Sequence, residues 1–116
     1  MRRRTSVKPA PLRRQRAQLL KELGTLSLLI RGSFFERFST CSIPSCACHR
    51  GRRHGPRAYV AVTLRKAQKQ HYVPQSQVAA LRKGIRQYHR LLTLLDRITA
   101  INLGLMRGGL LHEPDS

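Results

Sequence analysis

The leucine and isoleucine residues of this chain fall mostly in two blocks, 19–30 and 91–111. Tryptophan is absent and aromatic residues make up 5% of the sequence, so a hydrophobic core must come mainly from these aliphatic blocks. A chain of 116 residues is the usual size of one domain. A core drawn from two segments is small, and small cores are commonly reinforced by a metal ion or another cross-link.

Both blocks carry the spacing of three and four residues that places apolar side chains on one side of an α-helix. The first block predicts a helix over 12–31. The second predicts a helix over 76–107, about 48 Å long, which Gln75 or Ser76 can cap. We expect the two helices to pack antiparallel. The second helix is longer than the core of so small a domain can cover. Its apolar face at 91–106 should therefore bind the first helix, a second copy of the chain or a partner protein.

The segment between the helices contains a loop and then alternating residues. Serine, proline and glycine residues mark a loop over 39–57, and the stretches AYVAVTL and HYV alternate as strands do. They predict a two-stranded β-hairpin over 58–73. The fold class is therefore α+β, in the order helix, Cys/His loop, hairpin and long helix. We expect one small domain over 12–107, preceded by a disordered basic arm at 1–11 and followed by a flexible tail at 108–116.

The aromatic stretch FFERF holds all the phenylalanine residues of the chain, Phe34, Phe35 and Phe38. It leads directly into the cysteine-rich loop. We expect these rings to fill the small core beside that loop, and stacking on nucleic-acid bases is the alternative.

Charge is the strongest indication of a partner. The chain has 23 Lys and Arg residues against 5 Asp and Glu, a net charge of +18. Most of the cations are arginine, whose planar guanidinium suits phosphate. No apolar run reaches the length of a membrane span, and no apolar segment follows the basic start as in a secretory signal. We expect a cytoplasmic protein bound to nucleic acid, with DNA favoured over RNA.

The loop contains a compact set of possible metal ligands, spaced Cys41-x4-Cys46-x-Cys48-x5-His54. Three thiolates and one imidazole form a tetrahedral zinc set, so the spacing predicts a structural zinc site. His49 is a rival fourth ligand, but it directly follows Cys48, and adjacent side chains diverge. Three thiols without a metal are the alternative. A redox role would require a C-x-x-C motif near a βαβ unit, which this sequence lacks.

The cations around this loop and the hairpin form the candidate nucleic-acid surface. Glycine residues among them allow close approach to a phosphate. We expect one head surface from the loop and hairpin and a mobile clamp from the N-terminal arm. The head residues are Arg50, Arg52, Arg53, Arg57, Arg65, Lys66 and Lys69, and the clamp residues are Arg2, Arg3 and Arg4.

From about Gly32 to Asn102 the chain carries the motifs RGSFFERFSTC, C-x-C, RHGP, AYVAV and HYVP, followed by a long terminal helix. In this series it resembles a family of small prokaryotic proteins known as the DUF6788 domain of unknown function. The resemblance implies the same cysteine loop, hairpin and long helix, a prokaryotic protein for which association with the nucleoid is an option, and a link to mobile genetic elements. Two pairs depart from the family pattern, Ser42-Ile43 after the first cysteine and Ala67-Gln68 in the hairpin.

Three functions are compatible with these features. The favoured one is a small DNA-binding accessory protein with a structural zinc knob. The second is a protein–protein adaptor that dimerises through the 91–106 face, and the third is an RNA- or ribosome-associated factor. We do not expect an enzyme, because the acidic residues are scattered and neither a pair of carboxylates nor a set of nucleophile and base stands out.

Overall fold

The computed structural model of the protein describes residues 8–51 and 53–112. It contains two helices, a three-stranded antiparallel sheet and a cysteine-rich loop. In chain order the elements are helix α1 (Pro9–Leu23), strand β1 (Ser33–Ser39), strand β2 (His54–Leu64), strand β3 (Ala67–Val73) and helix α2 (Val78–Arg107). Short 3₁₀ helices at Ala47–Arg50 and Gln75–Gln77 precede β2 and α2.

Helix α1 begins and ends earlier than the sequence predicts. Its first residue is Pro9, whose fixed φ suits the first helical turn, so residues 9–11 belong to the helix and not to a disordered arm. Residues 1–7 of the predicted arm lie outside the described residues. The helix ends at Leu23, and the Thr25 hydroxyl donates to the carbonyl oxygen of Glu22 at 2.6 Å. The prediction of helix to residue 31 is therefore wrong at its end.

The sheet has three strands in the order β1-β2-β3, with β2 in the centre. The prediction of a hairpin is correct for the pairing of β2 with β3, but β2 begins at His54, inside the loop predicted over 39–57, and the prediction missed β1. Strand β1 is the aromatic stretch itself, where Phe34 lies opposite Val60 and Phe35 opposite Tyr59. Two successive phenylalanines hide the alternation of the strand, because one ring faces each side of the sheet.

The hairpin turn consists of Arg65 and Lys66, whose φ angles are 49° and 66°. Two successive left-handed residues between paired strands are characteristic of a type I′ turn, which asparagine and glycine ordinarily occupy. Ala67 and Gln68, which depart from the family pattern, are the first residues of β3 and not part of the turn.

Contacts within the chain form two compact units, where the sequence predicts one domain over 12–107. Of the described residues, the first unit comprises 8–27 and 89–112, and the second comprises 28–51 and 53–88. Helix α2 contributes residues to both. Within the part of the chain that the structure describes, no helix is both long enough and apolar enough to cross a membrane.

In the first unit, α1 lies against the second part of α2. Arg16 donates from Nη1 to Asn102 Oδ1 at 2.8 Å, and Arg90 forms a two-pronged ion pair with Glu22 at 2.5 and 2.9 Å. As the residue number rises along α1 it falls along α2, so the two helices run antiparallel there. The buried side chains of α2 in this unit recur every three or four residues: Leu94, Ile98, Ile101 and Leu105.

In the second unit, one face of the sheet carries the buried Val60 and Val73 and the half-buried Phe34. The guanidinium of Arg82, on α2, lies 4.8 Å from the centre of the Phe34 ring. The extended segment before β1 also contacts α2, because the Ile30 amide donates to the Gly84 carbonyl oxygen at 3.1 Å.

The expectation that all three phenylalanines fill a core is wrong. Phe38 is 54% exposed, and Phe35 lies on the sheet face opposite to Phe34.

Candidate metal centre

The loop between β1 and β2 brings its three cysteines together. The Cys46 amide donates to the Ile43 carbonyl oxygen at 3.1 Å, which closes a turn after Cys41. A 3₁₀ helix then begins at Ala47 and carries Cys48 inward, and Gly51, with φ of 104°, ends it. As a result the sulfur atoms of Cys41, Cys46 and Cys48 all lie within 4.8 Å of one another.

The distances between these sulfur atoms suit a metal better than a disulfide. Cys41 Sγ and Cys48 Sγ are 3.5 Å apart, whereas a disulfide bond measures about 2.05 Å. Tetrahedral zinc with Zn–S bonds of about 2.3 Å places its sulfur ligands about 3.8 Å apart. Three convergent thiols at this spacing could hold a metal ion.

The environment of Cys48 disfavours an isolated thiolate. Its side chain is 2% exposed, and this burial raises the pKa of the Cys48 thiol. The backbone amide of Cys41 donates to Cys48 Sγ at 3.2 Å, which acts in the opposite direction by stabilising negative charge on sulfur. A bound cation would provide the larger compensation that a buried thiolate needs.

His54 is the predicted fourth ligand, and His49 is its rival. The backbone of His54 begins β2 and pairs with Ser39, but the side chain of His54 lies outside the described part of the chain. His49 Nε2 lies 2.7 Å from the Cys41 carbonyl oxygen. Among the described residues, the group of mutually close ligand atoms consists of the three sulfurs and does not include His49.

The profile of the family described as Domain of unknown function (DUF6788) matches residues 9–83. The chain belongs to the DUF6788 family. The match covers α1, the cysteine loop, the whole sheet and the beginning of α2, which confirms the resemblance seen in the sequence. No curated protein and no solved structure matched the chain.

Among the described residues of this DUF6788 chain, the cations predicted for one head surface are spread along the sheet. Arg57 and Arg65 are separated by eight residues of extended chain, about 26 Å. The described members of the predicted head surface are all exposed and fall into two clusters toward opposite ends of the sheet. The knob cluster is Arg50, Arg53 and Arg57, and the turn cluster is Arg65, Lys66 and Lys69. Arg2, Arg3, Arg4 and Arg52 lie outside the described residues.

The structure adds one cation that the sequence analysis missed. Arg37 of β1 lies directly opposite Arg57 of β2, so their side chains share one sheet face. Like charges in this cross-strand position repel each other, and a bound anion would relieve the repulsion. The sequence signal for Arg37 is its alternation with Phe35, which places both on one face because Ser33–Ser39 is a strand.

Proposed function

We propose that this DUF6788 chain is a nucleic-acid-binding accessory protein whose cysteine loop is a structural zinc knob. The observation that carries the proposal is the cross-strand pair of Arg37 and Arg57, which adds a cation to the knob cluster at one end of the sheet, with the turn cluster at the other end. With 23 cations and 5 acids, the chain cannot neutralise its positive charge internally. A polyanion with regularly spaced phosphates supplies the missing charge at several points at once.

Zinc explains the cysteine loop within this function. Three sulfurs within 4.8 Å of one another provide three ligands, and His54 would provide the fourth. A closed four-ligand site is structural, because no coordination position remains for a substrate. Its role would be to hold the loop that carries Arg50 and Arg53 rigid at the end of the sheet.

The test is the salt dependence of binding. If about six phosphates are neutralised on duplex DNA, log K should fall against log salt with a slope near −5. Arg57→Gln should reduce the magnitude of that slope by about 0.9, the effect of one lost phosphate contact. Arg107→Gln makes the same charge change outside both clusters and should leave the slope unchanged.

Fluorescence anisotropy across a salt series measures these slopes. A flat salt response would contradict the proposal, and equal effects of both substitutions would contradict the role of the clusters. Competition between duplex DNA and structured RNA distinguishes the favoured DNA from the RNA-associated alternative.

A second candidate function, a homodimerising adaptor, has an observation of its own. Leu92, Leu95, Leu103 and Met106 of α2 are 41%, 49%, 41% and 51% exposed. At about 100° per residue they fall within one narrow stripe of the helix. Such a stripe suits a second copy of the chain.

Sedimentation equilibrium tests this candidate. Leu95→Lys should convert a dimer to a monomer, while Leu111→Lys, another exposed leucine, should not. A wild-type monomer at all concentrations would exclude the adaptor.

A further inference from the structure

The face of the sheet opposite to Phe34, Val60 and Val73 carries a row of aromatic rings. We call it the open face. Phe35 lies opposite Tyr59, and Tyr59 lies opposite Tyr72, so the row crosses all three strands. The Phe35 and Tyr59 rings stack, with centres 5.6 Å apart and planes at 17°, and the Tyr72 ring meets Tyr59 edge-on at 6.0 Å.

This row lies where an antiparallel sheet with one buried face ordinarily has polar side chains. Phe35 and Tyr59 are half-buried by their neighbours, and Tyr72 at the end of the row is 59% exposed. Burial in the core does not account for an aromatic ring as exposed as that of Tyr72. A ligand with a flat apolar surface would account for it.

Positive charge surrounds the same rings. The Arg37 guanidinium carbon lies 5.2 Å from the Tyr59 ring centre and 5.6 Å from that of Phe35. Arg37 also donates a hydrogen bond from Nη2 to Gln70 Oε1 at 2.9 Å, which fixes the guanidinium above the rings. Arg57 stands opposite Arg37 on this face. The charge therefore selects an anionic ligand, and the rings select one with planar groups.

A single nucleic-acid strand combines both properties. We propose that the open face stacks the unpaired bases of a single-stranded nucleic acid, with Tyr72 as the accessible platform and Arg37 and Arg57 at the phosphates. In a duplex the bases stack on one another and do not offer their faces. This role rests on the proposed nucleic-acid function and narrows it to unpaired strands.

The position of the aromatic row along the sheet suits a nucleic-acid strand that extends beyond the rings in both directions. Tyr59 is two residues from Arg57 and six from Arg65, distances of about 7 Å and 20 Å along extended chain. The rings therefore lie between the knob cluster and the turn cluster. A polynucleotide stacked on the rings can reach phosphate-binding cations on either side of them.

The first experiment measures binding of a labelled oligothymidylate of about 16 nucleotides by anisotropy. Tyr72→Ala should weaken binding by about 5- to 150-fold, the range for loss of one base-stacking ring, and Tyr72→Phe should retain it. Leu64→Ala is the matched control, because Leu64 is 63% exposed but points to the other side of the sheet. The salt slope should not change in Tyr72→Ala, since no phosphate contact is lost.

The outcomes separate this role from the proposed function on which it rests. Binding by Tyr72→Ala within about twofold of wild type overturns the stacking role and leaves nucleic-acid binding intact. Equal weakening toward single strand and duplex also overturns it, because duplex bases cannot stack on the ring. If the wild-type protein binds neither form, both the stacking role and the proposed function fail.

A second variant keeps the test decisive if Tyr72→Ala does not fold, as judged by circular dichroism. The chain has no tryptophan, so Tyr72→Trp carries a single indole on the open face. Oligothymidylate should quench its fluorescence as bases stack on it, and binding without quenching would overturn the stacking role. Binding of an oligouridylate of the same length distinguishes RNA from DNA as the source of the nucleic-acid strand. Tyr72→Ala should weaken binding of whichever of the two oligonucleotides the wild-type protein binds more tightly.

Discussion

Replacing Gly84 by alanine should destabilise the protein, although alanine is the better helix former. A Cβ at this position would lie 2.2 Å from the backbone oxygen of Leu28 and 2.9 Å from Ile30 Cδ1. Ordinary contact begins at 3.4 Å, so the helix and the segment at 28–30 must separate by 3.4 − 2.2 = 1.2 Å. That movement also breaks the hydrogen bond from the Ile30 amide to the Gly84 carbonyl oxygen.

The net effect can be worked out from these terms. Overpacking against backbone costs about 1–3 kcal/mol. The lost hydrogen bond adds about 1 kcal/mol, and the helix propensity of alanine returns about 1 kcal/mol. The free energy of unfolding should therefore fall by about 1–3 kcal/mol, which lowers Tm by about 4–12 °C in a protein of this size.

Gly104→Ala is the matched control in the same helix. There a Cβ would meet only Leu12 Cδ1, at an ordinary 3.8 Å, so the change should stabilise the protein by up to about 1 kcal/mol. Thermal and urea unfolding followed by circular dichroism measure both variants. If Gly84→Ala is as stable as wild type, the close contact between the 28–30 segment and α2 is refuted.

Three further predictions concern the cysteine loop, the helix pair and the hairpin turn. Purified wild-type protein should contain stoichiometric zinc by elemental analysis, and the Cys46→Ser variant should contain none. Acid should release the zinc, because zinc binds thiolates and acid protonates them. A wild-type protein that folds without metal would contradict this prediction. The ion pair with Arg90 lowers the pKa of Glu22. Wild type should therefore be more stable than Glu22→Gln above about pH 4.3, and this difference in the free energy of unfolding should disappear as the pH falls through the lowered pKa. A difference that does not change with pH would count against the ion pair. Replacing Arg65-Lys66 by Asn-Gly should raise Tm, because both positions have positive φ, yet weaken nucleic-acid binding; unchanged affinity would exclude the turn cluster from the interface.

Periodicity in the sequence predicted the elements that repeat one pattern over many residues. It placed the hairpin, the long helix and the convergence of the cysteines, because each depends on local spacing. It extended α1 too far, since Leu26, Leu29 and Ile30 continue the helical spacing after the helix has ended. In the folded chain Ile30 instead contacts α2 through Gly84, a partner more than fifty residues away that no local pattern reveals.

The candidate surface was harder to predict because it depends on the third strand. Without β1, nothing in the sequence brings Arg37 beside Arg57 or Phe35 beside Tyr59. Likewise, Arg57 and Arg65 are close in sequence but are separated by the length of an extended strand. The cations expected to form one head surface therefore lie in two clusters. Both the pairing of Arg37 with Arg57 and the separation of the two clusters depend on strand pairing and register, which arise from tertiary packing.

The separation of these clusters constrains the ligand more than the net charge does. A basic protein of +18 would attract any anion, including phosphate, mononucleotides and acidic peptides. A ligand that contacts both Arg57 of the knob cluster and Arg65 of the turn cluster must extend about 26 Å, the length of extended chain between these two residues. A mononucleotide is too short to do so, and an acidic peptide offers no regular series of planar rings to the open face between the clusters. Charge at both ends and aromatic rings between them therefore favour a polynucleotide over the other anions that the same net charge would attract.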